Sequence, residues 1–198
     1  MPMNSALALG PWENFYVIVG SSAGALTGLT FIVITIAADV QVSATARLLG
    51  LRAFTTPTAV HFGAALWIAA LMSIPGHTRW SLMLCLAGSG LFGTVYCGYV
   101  ARMMMDERLG YRLALSDWVW SLLLPLITYL AILVAAMLVS AHLSGALYTV
   151  AAASLTLLLM GLHNAWDVVV WITTERHTRP ARSDEQPGTK RPSPGDAD

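Results

Sequence analysis

The sequence predicts an all-α, polytopic membrane protein: a five-helix transmembrane bundle with its N-terminus outside and its C-terminus inside. Three observations carry this. Of 198 residues, 56% are hydrophobic and only 11% charged, where a soluble domain carries about 25% charged residues; the mean hydropathy is +0.64. Five apolar segments, at 15–38, 54–74, 80–101, 118–141 and 146–172, each reach the roughly 20 residues that a helix needs to cross about 30 Å of hydrocarbon. Cations then alternate between the connections. Arg79 stands alone on one side, against Arg47, Arg52, Arg102, Arg108, Arg112, Arg176, Arg179, Arg182, Lys190 and Arg191 on the other. That split of one against ten places the basic connections in the cytoplasm.

The chain therefore divides into a short extracytoplasmic N-terminus (1–14), a transmembrane domain (15–175) and a basic cytoplasmic tail (176–198). The start is not expected to be a cleavable signal, since it has no positive n-region and its apolar run exceeds the ~15 residues of an h-region. Trp12 and Tyr16 open the first span, Trp80 the third, Trp118 and Trp120 the fourth, and Trp171 closes the fifth, where an interfacial aromatic belt belongs. Pro75-Gly76 and Ser144-Gly145 make short turns, so spans two and three, and four and five, form antiparallel hairpins. Residues 42–53 and 102–117 are expected to lie flat as amphipathic interfacial helices. Pro125 should kink the fourth span. The tail is rich in Arg, Pro, Asp and Gly and nearly devoid of apolar residues, so it is expected to be disordered and to meet anionic headgroups through its first basic cluster. The sequence has no internal repeat, which speaks against an inverted-repeat transporter.

Small residues recur every fourth position on the first span, at Gly20, Gly24 and Gly28, and again on the third at Ser89, Gly93 and Cys97. Such stripes let helices approach closely and gain dispersion contacts that lipid does not offer. Cys85 and Cys97 lie about 18 Å apart along one helix and cannot bridge each other. The segment Asn14-Phe15-Tyr16 through Gly20, Gly24 and Gly28-Leu29-Thr30-Phe31 resembles the opening helix of a group of small, uncharacterised bacterial membrane proteins. The resemblance implies a bacterial plasma membrane and brings no activity with it.

The chemistry concentrates in His163-Asn164-Ala165-Trp166-Asp167, inside the fifth apolar segment. A helix puts His163 and Asp167 on one face, one turn apart. With about 100° per residue, Thr156, Thr149, Met160 and Asn164 fall within about 100° of His163, which makes a polar stripe that lipid would not tolerate. His61 on the second span sits at nearly the depth of His163, each about 4–6 Å to the cytoplasmic side of the midplane. Two imidazoles at one level with a carboxylate a turn below could relay protons or bind an ion. The plain alternative is that His163 and Asp167 pair with each other, or with Arg102 and the Trp166 indole, only to fix packing.

The expected function is therefore ion or proton conduction through this stripe, with Asp167, His163, Asn164, Thr156 and His61 on the pathway. Five helices enclose little beyond a narrow path, so a wider pore needs further copies of the chain. A non-catalytic accessory or regulatory membrane subunit is the rival. A third reading is a b-type haem held by His61 and His163, and zinc on His61, His163 and Asp167 has suitable ligand types without diagnostic spacing; the leading reading needs neither cofactor nor metal. Partners are the bilayer and further copies or another membrane protein, not nucleic acid. Gly20-Ser21-Ser22-Ala23-Gly24 matches G-x-S-x-G, but that motif works on a strand-to-helix turn, not inside a helix. His77, His142 and His177 read as solvated residues at helix ends, and Met103–Met105 beside Arg102 as a headgroup anchor. No P-loop, HExxH or nucleotide fingerprint points to an enzyme.

Overall fold

The computed structural model describes residues 7, 9–39, 44–105 and 118–178. They are almost wholly helical: α1 (Glu13–Asp39), α2 (Ala44–Met72), α3 (Arg79–Met104), α4 (Leu124–Leu138) and α5 (Leu143–Thr178). A 3-10 turn, Gly10–Trp12, leads into α1, and a π-helical turn, Val119–Leu123, leads into α4. Four stretches are long and apolar enough to cross a membrane: Gly10–Val33, Arg79–Met104, Val119–Leu138 and Leu143–Asp167. The fifth apolar stretch, Pro57–Met72, is shorter and belongs to the 29-residue α2. Large apolar side chains cover the outside, among them Phe31, Leu84, Phe92, Val95, Met137 and Leu159. A surface of this kind suits hydrocarbon and is unlike that of a soluble monomer.

The helices are neighbours in the order α1, α2, α5, α4, α3, with α1 also touching α5. Half of the apolar stretch of α5 is buried, against 17% of that of α1, so α5 is the central element. The core runs through Tyr16, Phe62, Ile68, Leu82, Leu86, Ile132, Leu157 and Met160. Two glycines let the helices close on it. A Cβ on Gly161 would come within 2.5 Å of the Phe62 ring, and one on Gly93 would overlap the Tyr129 ring. Here the missing side chain is what admits the aromatic.

One end of the bundle, which carries the turns at 73–78 and 139–142, is tied by polar contacts. Gly76 takes a positive φ of 76° at the first turn, the left-handed region that favours glycine. His77 accepts the Leu7 N–H on its carbonyl at 2.7 Å. Its ring contacts the Ser81 hydroxyl through Nδ1 at 2.6 Å and the Leu71 carbonyl through Nε2 at 2.8 Å. The expectation that His77 is solvated is thus corrected. It is buried, because the N-terminal segment folds back over it. His142, by contrast, is exposed. Arg79 donates through one nitrogen to the Val139 and Ser140 carbonyls at 2.8 and 2.9 Å, which would otherwise be orphaned at the end of α4.

Two other expectations change. Residues 44–53 do not form a separate interfacial helix: α2 runs unbroken from Ala44 through Pro57 to Met72. Pro57 removes one helical donor, and neighbouring helices make such losses tolerable in an apolar span. Residues 102–104 continue α3, while 106–117 and 179–198 lie outside the described residues. Ahead of Pro125 the chain widens into the π-helical turn, closed by the Leu124 N–H to the Val119 carbonyl. That extra residue per turn is where a helix absorbs the missing proline donor.

Candidate functional site

The polar residues of α5 divide into two environments. His163 and Asp167 lie on a half-exposed face, with side chains 34% and 47% accessible and Nε2 3.5 Å from Oδ2. The i, i+4 spacing brings them together. Trp120 covers the imidazole, its ring centroid 3.9 Å away at an interplanar angle of 34°. It reaches there from the π-helical turn. Trp166, between the two in sequence, is turned away and exposed.

Asn164 faces the interior and is buried, and its Nδ2 finds no hydrogen-bond partner. Across from it, α2 presents Thr58 and His61, each only 1% exposed. The Phe62–Gly161 contact fixes this apposition: α2 and α5 run in opposite directions, so residues 58–61 and 164 flank it within about one turn. His61 Nδ1 stands 3.5 Å from the Tyr129 hydroxyl, and its Nε2 has no partner. Tyr129 in turn lies against Gly93 on α3. His61 of α2 thus meets Tyr129 of α4 in the core, and Asn164 is buried on the stretch of α5 that follows the Phe62–Gly161 contact.

The neutral members of the stripe turn back on their own helix. Thr156 donates to the Ala152 carbonyl at 2.9 Å, Thr149 to Gly145 at 2.9 Å, and the buried Ser154 to Val150 at 2.8 Å. Such bonds satisfy a hydroxyl at apolar depth without a partner helix. On α1, a Cβ at Gly20 would touch Ala69 of α2 at 3.2 Å, whereas Gly24 and Gly28 face open space. Ser22 lies inside α1, away from the strand-to-helix turn that G-x-S-x-G chemistry requires. Cys85 and Cys97 are both free thiols.

Among the described residues no three His, Cys, Asp or Glu side chains gather to hold a metal ion, so His61, His163 and Asp167 do not form a zinc set. For a bis-imidazole haem, each histidine must offer a ring nitrogen to a shared iron. His163 Nε2 is engaged by Asp167 and its ring face by Trp120. A haem iron would therefore have to take the Nδ1 of His163, the nitrogen that Asp167 does not contact.

Two residues of the site were not anticipated from the sequence. Tyr129 reads there as one more aromatic in a hydrophobic run, and its only signal is a hydroxyl at mid-span. Trp120 reads as part of the interfacial belt, and only the π-helical turn aims it at His163. No protein-family model, no curated protein and no solved structure matches this chain.

Proposed function

We propose that this chain moves protons or small cations across a bacterial plasma membrane, acting as an oligomer. The observation that carries the reading is the pair of buried polar nitrogens without partners, His61 Nε2 and Asn164 Nδ2, on facing helices. In an apolar bundle each such atom costs several kcal/mol by the usual order of magnitude. Buried polar groups are mostly paired, so two open nitrogens on facing helices support a ligand or a transferred proton there. The half-exposed His163–Asp167 couple supports the oligomer, since a polar face at this depth needs another helix or water against it. In this reading Asp167 accepts the proton or coordinates the ion, His163 is its pH-sensitive partner, and Asn164 and Thr156 are neutral ligands.

Flux in proteoliposomes, wild type beside Asp167→Asn, tests it. The variant should insert normally and lose at least tenfold in flux. Wild-type protein silent to several ions over a range of pH sinks the proposal. The second reading, an accessory membrane subunit, is favoured by the uncovered Gly24 and Gly28 face of α1. It predicts that Asp167→Asn changes only thermal stability or oligomer yield.

A further inference from the structure

We infer that the transported species is the proton and that His61 is the group that carries it through the core; this rests on the transport reading above. The argument is the element type of the atoms left open. A metal cation leaves water only for a cage of oxygens that replaces its hydration shell. Among the described residues, four buried side-chain atoms lack a hydrogen-bond partner: His61 Nε2, Asn164 Nδ2, Arg79 Nε and Tyr16 Oη. The single oxygen among them belongs to Tyr16, in the aromatic group of Trp12 and Phe15 at the tied end of the bundle. Where α2 meets α5, both open atoms are nitrogens. The hydroxyls of Thr156 and Ser154 are turned onto the backbone of their own helix. One oxygen of the Asp167 carboxylate lies 3.5 Å from His163 Nε2. A proton needs only one nitrogen lone pair, and His61 Nε2 offers one.

His61 is placed to pass a proton from one side of its ring to the other. Its Nδ1 faces the Tyr129 hydroxyl of α4, and its buried Nε2 has no hydrogen-bond partner. A proton that binds Nε2 makes an imidazolium, and the Nδ1 proton then passes to the Tyr129 oxygen while that hydroxyl releases its own proton to a water molecule beyond it. Loss of the Nδ1 proton already leaves a neutral ring, in the other tautomer, and return of the remaining proton from Nε2 to Nδ1 resets it. No electron moves and no co-reactant is consumed. The titratable groups facing this ring are Tyr129 and, behind it on α3, Cys97 and Tyr96. Asn164 approaches from α5 and Thr58 from its own helix, both of them neutral.

The test is proteoliposomes loaded in turn with sodium, potassium or choline salts, with internal pH and alkali-metal fluorescence read in parallel. Wild type should acidify or alkalinise at the same rate in all three salts and pass no alkali metal. His61→Gln should slow proton flux at least tenfold. Asn164→Leu, which keeps a comparable volume and removes the open amide, gives a second variant should His61→Gln fail to insert. Alkali flux without proton flux, or proton flux untouched in both variants, overturns this inference and leaves the transport reading standing. No flux of any ion from the wild type overturns both.

Discussion

At Gly93 and Gly24 the same residue type does opposite things, and the difference is local geometry. Gly93 holds the Tyr129 ring against its α-carbon, while Gly24 faces open space. Gly93→Ala should therefore force the ring out of its seat and destabilise the bundle by about 1–3 kcal/mol, the usual cost of overpacking. Gly24→Ala should stay within about 0.5 kcal/mol of wild type, as substitutions clear of packed features do. Thermal unfolding in detergent separates them, and equal melting temperatures for the two variants would refute the assignment. The sequence offered Gly20, Gly24, Gly28 and Gly93 as one class, because spacing records only that a helix has a small-residue face. Which glycine receives a neighbour depends on the neighbour. Gly161, which admits Phe62, belongs to no spacing pattern and was invisible for the same reason. His77 shows the same limit: its burial depends on Leu7, seventy residues away in the chain.

At the scale of elements, apolar length and proline or glycine punctuation located the helices, and the structure shifts most of their ends by a few residues but begins α2 ten residues earlier, at Ala44. What hydropathy could not supply was phase. Pro125 was expected to bend the fourth span, and it is preceded by a π-helical turn, one of the places where helices bend. One extra residue rotates everything before it by about 100° relative to everything after it. That rotation carries Trp120 from the belt onto His163. Replacing Pro125 with Leu restores the missing N–H donor and should let the segment relax to an ordinary α-helix, swinging Trp120 off the imidazole. A cysteine pair at 120 and 163, bridged by a short bifunctional thiol reagent, measures this. Cross-linking should be efficient with Pro125 present and should fall severalfold in the Pro125→Leu background. An unchanged yield would mean that the π-turn is held by tertiary packing and not by the proline. The unbroken α2 teaches the complementary lesson. Charges in 42–53 read as a surface helix, yet composition cannot distinguish a helix lying on a membrane from the extension of one entering it.

For the whole molecule, the two ends differ in what holds them, and the charge pattern gives that difference a direction. The end with the 73–78 and 139–142 turns is closed by side-chain-to-carbonyl bonds from His77 and Arg79 and by the ring contacts among Trp12, Phe15, Tyr16 and Tyr148. It uses one cation, and that cation is engaged by carbonyls. Of the other ten, Arg47, Arg52, Arg102 and Arg176 lie toward the opposite ends of α2, α3 and α5, and the rest belong to sequence outside the described residues. Lys and Arg near span ends resist translocation, so the closed end should face outward and the basic end the cytoplasm. Single cysteines at Gly10 and Ser193, in a background with Cys85 and Cys97 replaced by Ala, make the orientation measurable in intact cells. A membrane-impermeant maleimide should label Gly10→Cys directly and Ser193→Cys only after permeabilisation. The reverse pattern would invert the bundle. Under the transport reading proposed above, it would also place His61 nearer the outer leaflet than the inner one, so that external rather than internal pH would govern its loading. Labelling should therefore precede any assignment of the side from which the proposed proton enters.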